Sequence, residues 1–342
     1  MARAVLRWLS LATFVSSLLP IAAHAGTAGE GAPAIDPRAW LARIHAAANH
    51  GNYQGVMVFS SGGTMTSSRV WHYAVGDQTY EHLEVQDGRQ QRIVRHDNIV
   101  QTLWPQAHVA VIERRETLAG WSTTPQQVEP RALEQYTLHA EGTDRVAGRE
   151  AAVFSLLPRD DLRYAQRLWA DQATGLLLRD DVIAPAGEGR AAPAVLESTA
   201  FSEIDIGVRP QPASVLQAMI DPHHPQGYRV VQPQQQRTTL QAEGWTLARP
   251  VPGFELAGCI RRTMDAGEGG PVMQAVFDDG LTHVSIFVEP YRAAQHRNEA
   301  QGRRGATATL IVRRGDYWVT TVGDVPLPTL RLFSVALERR QP

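Results

Sequence analysis

The chain has 342 residues, of which 33 are basic and 35 acidic, for a formal net charge of -2, and 43% are hydrophobic. That length exceeds what one small core organises, so two domains are expected, and the near-neutral charge offers no overall attraction for DNA or RNA. Every basic residue is an arginine, and the single cysteine, Cys259, excludes an internal disulfide and reads as a small buried apolar residue.

Arg3 and Arg7, the apolar run Trp8 to Ile21 and the small-x-small triplet Ala23-His24-Ala25 form the three parts of a secretory signal, cleaved near Gly26. A retained anchor is the rival reading. The apolar run is shorter than the roughly 20 residues a spanning helix requires, and it contains Ser16, Ser17 and Pro20. The mature chain is therefore expected in the periplasm.

Asp36-Pro37 opens a helix, with Asp as N-cap, Pro in the first turn, and Trp40, Leu41, Ile44 and Ala48 at helical spacing. From Tyr53 the apolar period changes to two. VMVFS, RVWHYAV, TYEHLEV, RQQRIVR, NIVQTLW and HVAVIE follow one another with Gly and Asp turns between them, which predicts an antiparallel meander. Pro125 and Pro130 interrupt the pattern and leave room only for a short helix between Arg131 and Leu138. The meander then resumes through AAVFSLL, YAQRLWA, GLLLRDDV and AVLESTAFSEIDIG. About ten sequential strands and one helix predict a strongly curved sheet with its concave face covered, because a sheet that wide curls. Alternation places Val58, Trp71, Tyr73, Leu83, Ile93, Trp104, Val111, Phe154, Trp169 and Leu177 on the inward face. They line either a cavity that holds an acyl chain or a filled core.

Residues 207–244 are rich in Pro and Gln, with one helical piece from Ala213 to Ile220, and read as an interdomain connector. His223-His224 lies there between prolines without ligand partners at metal spacing, so no metal site or cofactor is expected. From Trp245 onward, FELAGCIRRTM, VMQAVFDD, THVSIFVEP, ATATLIVRR and YWVTTVGD predict strands. Pro328-Thr329 starts a terminal helix with Leu330, Phe333 and Leu337 on one face. The fold class is mainly β, with a second unit of α+β type. Between Tyr291 and Gly305 a polar segment carrying Arg292, Arg297, Arg303 and Arg304 reads as a mobile solvated loop, or as a site for a phosphate or an acidic segment.

The acidic doublets Asp160-Asp161, Asp180-Asp181 and Asp278-Asp279 suggest paired catalytic carboxylates, but adjacent residues on a strand point to opposite faces and cannot flank one bond. No phosphate-binding loop, nucleophile elbow or H-E-x-x-H helix accompanies them, so the chain is not read as an enzyme.

RVAGREA (Arg145 to Ala151), LPRDDLRYAQRLWAD (Leu157 to Asp171) and TGLLLRDDV (Thr174 to Val182) resemble the MucB/RseB family of periplasmic regulators of the sigma-E envelope-stress response. NYQG, RVWH, PGFEL, DDGLTHVSIFVEP and YWVTTVGDVPLPTLR match in the same order. The resemblance implies a signal peptide over 1–25, a domain over 36–206 similar to the lipoprotein carriers LolA and LolB, a connector over 207–244 and a smaller domain over 245–342. The first domain would be a curved antiparallel half-barrel around a helix. It also implies a negative regulator that binds the periplasmic region of a single-span anti-sigma factor of RseA/MucA type and shields it from site-1 proteolysis. Lipid, lipopolysaccharide or mislocalised lipoprotein would trigger release. The partner is placed at the cleft between domains, on Arg159, Arg163, Tyr164 and Arg167, and on Ser285, Phe287 and Glu289 of the DDGLTHVSIFVEP strand. A stabilising surface network accounts for the same arginines. A periplasmic lipid or lipoprotein carrier of LolA type is the alternative function, and homo-oligomerisation is left open.

Overall fold

A computed structural model describes residues 36–114, 128–187, 191–224, 227–263 and 270–340. The expected signal peptide lies outside them. Helix α1 (Pro37–His50) begins where Asp36 caps it, its carboxylate accepting from Arg38 N at 3.0 Å, and Leu41, Ile44 and Ala48 are its buried residues. Strands β1 (Tyr53–Ser61), β2 (Thr64–Val75), β3 (Gln78–Val85), β4 (Arg92–His96), β5 (Ile99–Trp104) and β6 (Val109–Arg114) form the first run. After a 3-10 turn at Pro130–Glu134 come β7 (Tyr136–Val146), β8 (Arg149–Pro158), β9 (Ala165–Asp171), β10 (Leu177–Ala184) and β11 (Ala194–Ile206). β1 pairs with β11, which joins the two runs edge to edge into one sheet.

The segment after β11 belongs to both halves of the molecule. Helix α2 (Pro212–Ala218) leads to β12 (Arg229–Val231), which pairs in parallel with β6 and completes a 12-stranded sheet. β13 (Gln234–Arg237) then pairs with β15 (Glu255–Thr263), at the edge of a second sheet. That sheet contains β16 (Val272–Asp278), β17 (His283–Pro290), β18 (Ala300–Arg304), β19 (Thr307–Arg314) and β20 (Tyr317–Gly323). Helix α3 (Leu327–Ala336) packs on one face of it, burying Leu330 and Phe333 among Phe254, Phe277, Ile286 and Val319. A short ribbon of β14 (Trp245–Leu247) and β21 (Leu337–Arg339) closes the chain. Among the described residues no helix is long and apolar enough to cross a membrane.

The first sheet is apolar on both faces, and this corrects the inward assignment. Cross-strand partners share a face. Val70, Leu83 and Ile93 stand opposite one another and cluster with Tyr53, Met57 and Phe201. Phe154 and Leu177 lie on the same face and pack directly under α1 with Leu41 and Ile44. Trp71 and Tyr73 project the other way, into a cluster covered by Val215 and Ile220 of the connector. Trp169 packs behind the sheet with Val153 and Leu178, and Val58, registered opposite Ser67 and Ala200, shares that outer orientation. Val58, Trp71, Tyr73 and Trp169 are therefore not inward residues. Alternation sorts residues into two faces without saying which is concave, and here both carry aromatics.

Two further expectations are corrected. The short helix expected between Arg131 and Leu138 is the 3-10 turn Pro130–Glu134, and it gives way to β7 already at Tyr136. Tyr136 and Leu138 pack towards α1 while residues 140–145 are exposed along an edge. The basic segment 291–305, read as a mobile loop, ends in strand β18, the opposite edge of the second sheet, antiparallel to β19. Its His296 stacks on Trp318 at 4.9 Å.

Candidate functional site

The site is made by the way the two sheets meet, and Arg163 governs that meeting. It lies between β8 and β9 and its side chain is 0% exposed. Nε donates to Asp279 Oδ2 at 2.6 Å, Nη1 to Asp160 Oδ2 at 2.5 Å and Nη2 to the Pro252 carbonyl at 2.7 Å. The guanidinium carbon stands 4.5 Å from the centre of the Phe254 ring. Asp279 is itself saturated, its other oxygen accepting from Leu281 N and Thr282 N at 2.9 and 2.8 Å. Tyr136 donates to Asp279 at 3.4 Å, and burial together with that carboxylate pushes its hydroxyl well above the usual phenol range, so it stays a donor. Leu281, from the second sheet's β16–β17 turn, is buried in the α1 core of the first. Gly280 holds φ +93, its carbonyl accepts from Glu129 N at 2.9 Å, and an added Cβ would stand 2.7 Å from Arg131 Cγ.

Away from this junction the sheets part into a cleft of about 720 Å³. Trp104 and Val111 line it from the first sheet, and Leu256, Ile260, Val276 and Phe287 from the second. The chain crossing from β12 to β13 forms one wall through Gln235, Arg237 and Thr238. Glu113 bridges the walls, with Arg262 Nη2 and Gln235 Nε2 each at 3.4 Å from its Oε1. Cys259 also lines the cleft, but burial and then the Glu243 charge push its thiol up to about 11, leaving it protonated and unreactive. The floor is apolar and Arg114, Arg237 and Arg262 stand at its margin, a combination complementary in polarity and charge to apolar side chains flanked by carboxylates.

The model of the MucB/RseB N-terminal domain matches residues 36–220, and that of the MucB/RseB C-terminal domain matches residues 238–338. The chain belongs to the MucB/RseB family. It is 27% identical to the sigma factor AlgU regulatory protein MucB of Pseudomonas aeruginosa, across 97% of this chain and 98% of that one. The sigma-E factor regulatory protein RseB of Haemophilus influenzae is 26% identical over 82% of this chain and 84% of its own length. Among solved structures, the Pseudomonas aeruginosa MucA/MucB complex matches with a TM-score of 0.66 and 27% identity, covering 89% of this chain and 99% of that chain.

In this MucB/RseB chain the residues expected to contact a partner divide sharply. Arg163 and Tyr164 are buried at 2% and 4%, so neither offers a surface; Tyr164 packs against Val182 and against Ala306 of the second sheet. Arg167 is half-exposed, ion-paired to Glu141 and stacked over Trp169. Arg159 is exposed, its Nη2 donating to the Leu133 carbonyl at 3.5 Å. Ser285, Phe287 and Glu289 alternate on the face of β17 away from α3. Of these, Phe287 reaches the cleft, Ser285 is buried at 9%, and Glu289 faces His296 at 3.6 Å. Trp104 and Val111, assigned to a lipid cavity, line the cleft together with Phe287. Phe154 and Leu177 are filled core beneath α1.

Asp279, Leu281, Glu113 and Arg262 escaped sequence reasoning. The signal for the first was present in the acidic doublets. Their members do part to different partners: Asp279 takes Arg163 and Asp278 takes Arg131, while Asp181 takes Arg179 and Asp180 turns to the opposite face. The doublets mark the contact between the sheets, which no spacing rule announces.

Proposed function

We propose that this chain is a periplasmic negative regulator that holds the periplasmic segment of a single-span anti-sigma factor against the interdomain cleft and shields it from site-1 proteolysis. The observation that carries this reading is the match along nearly the whole chain to a protein solved in complex with MucA. A cleft whose walls come from both sheets adds to it. The physics is occlusion, since a flexible segment laid along a folded surface cannot at the same time enter the groove of a protease. Ordering that segment costs free energy, which limits affinity and keeps the complex releasable.

Release by an amphiphile requires differential affinity. Inverting a 99:1 equilibrium takes about 5.5 kcal/mol, which roughly seven methylenes supply at about 0.8 kcal/mol each. The half-buried apolar side chains of the cleft, Trp104 and Phe287 among them, are the surface an acyl chain would compete for.

The test is protection of the anti-sigma periplasmic fragment from its first protease, with wild-type protein and with Phe287→Arg. Wild type is expected to slow cleavage, Phe287→Arg to lose most of that effect, and lipopolysaccharide to restore cleavage. Protection unaltered by Phe287→Arg removes the cleft from the proposal, and no protection by wild type ends it. Lipid carried through purification with no protein partner favours the carrier instead.

A further inference from the structure

The sheets meet at a second place, where the turn between β18 and β19 closes on the first sheet. Ala306 is fully buried with Tyr164, Val182 and Ala184, and Arg304 Nη2 donates to Thr64 Oγ1 at 3.2 Å. A methyl on Gly305, whose φ is +59, would collide with Ser61 Oγ and the Glu197 carboxylate.

Into this contact the chain directs three carboxylates. Asp180 and Glu197 come from β10 and β11, on one face because Val182 lies opposite Glu197 and two residues from Asp180. Asp324 comes from the end of β20. Glu197 accepts from Ser61 Oγ at 2.8 Å and from the Ala306 N–H, and Asp324 accepts from Thr307 Oγ1 at 2.6 Å. Asp180 is 5% exposed, and its Oδ1 has no hydrogen-bond partner among the described residues.

The neighbouring charges do not neutralise the group. Arg179 is turned to the opposite face, where it grips Asp181 with Ser198. Asp279 and Arg163 satisfy each other. His283 is held below the usual imidazole range by desolvation, against the pull of Asp324 and Asp279, so it brings no counter-charge near neutrality. Among the described residues no guanidinium hydrogen-bonds Asp180, Glu197 or Asp324.

We propose that protons held in this carboxylate cluster lock the two sheets together, so that the seam is tight in acid and loosens as the medium turns alkaline.

Desolvation, and then the charges of Asp181, Glu197 and Asp324, push the Asp180 carboxyl up to about 8, and desolvation raises Glu197 as well. With the seam open, Asp180 is solvated and returns to its ordinary 3.8. Between those values the closed seam keeps a proton that the open one has lost. Each rise of one pH unit therefore favours opening by up to tenfold for that proton, and the effect levels off above the closed-state value. The walls of the cleft belong to these same sheets, so their spacing follows the proton.

Amide hydrogen exchange of the whole mature protein, corrected for intrinsic rates, tests this from about pH 5 to pH 9. Protection of the amides around Gly305 to Thr307 and in β11 is expected to fall by up to tenfold per unit towards pH 8, while β16 and β17 stay unchanged. Asp180→Asn, a neutral copy of the protonated acid, is expected to keep the protection and abolish its pH dependence. Glu197→Gln serves as the second variant should Asp180→Asn not fold: it takes away one of the charges that raise Asp180 and is expected to make the fall in protection level off at a lower pH. Seam protection in wild type that is flat with pH overturns the proposal, and so does a profile that keeps its full slope in Asp180→Asn or its wild-type end point in Glu197→Gln.

Discussion

Replacing Arg163 with alanine tests whether one buried side chain sets the relation between the sheets. The side chains of Arg163 and Asp279 are both 0% exposed, and removing one partner of such a pair costs about 3–5 kcal/mol. Asp160 is 33% exposed, so its share is screened and adds at most about 1 kcal/mol. Asp279 keeps its donors from Leu281 N, Thr282 N and Tyr136, which places the total near the low end, about 3 kcal/mol or roughly two orders of magnitude in the folding equilibrium. Urea denaturation followed by far-UV circular dichroism and by tryptophan fluorescence measures it. Because Arg163 reaches into both halves, a single transition is expected to split into two. Asp279→Asn in the same background should cost far less than it does alone, since the stranded charge is what hurts. Arg159→Ala is the surface control and should shift stability by less than about 0.5 kcal/mol. A loss below about 1 kcal/mol for Arg163→Ala, with one transition retained, refutes the reasoning.

Gly280→Ala should cost about 1–3 kcal/mol, because the backbone sits at φ +93 and the new Cβ meets Arg131 Cγ at 2.7 Å and Ala132 N at 3.0 Å; thermal denaturation reads it. Leu281→Ala empties a 5%-exposed position in the α1 core, and about 2–5 kcal/mol is expected in the same urea experiment, a smaller value meaning that the core collapses onto the gap. Burial alone would raise Glu81, but the hydrogen bond with His72 and the charge of Arg95 outweigh it and bring the carboxyl down from 4.5 to about 2. A lowered value means that this stabilisation is fully present above about pH 4.5 and is lost as pH falls towards 2, a contribution of about 3 kcal/mol. In Glu81→Gln the acid-induced loss over that window should shrink accordingly, and an unchanged acid-denaturation curve counts against the assignment.

Local structure was legible because short-range chemistry decides it. Asp36-Pro37 with Leu41 and Ile44 at helical spacing is α1, and the runs of period two became strands at nearly the places read. β18 escaped because all of its residues are exposed, so no apolar alternation marks it. The contact residues were misplaced for a different reason. Arg163 looks like a surface arginine on a turn, and its burial is tolerable because, besides nearby Asp160, it finds the buried carboxylate of Asp279 116 positions away and the Pro252 carbonyl.

By itself the amino-acid order determined the period of each segment, its turns and its family, since these depend on neighbours within a few residues. The tertiary structure alone decided which apolar face turned inward, which acidic doublets met across the sheets, and that the connector supplied an edge strand to each. Those outcomes depend on pairings between segments distant in the chain, more than a hundred residues apart for β12 with β6 and for Arg163 with Asp279, and the energy of a buried charge exists only once both partners have left water.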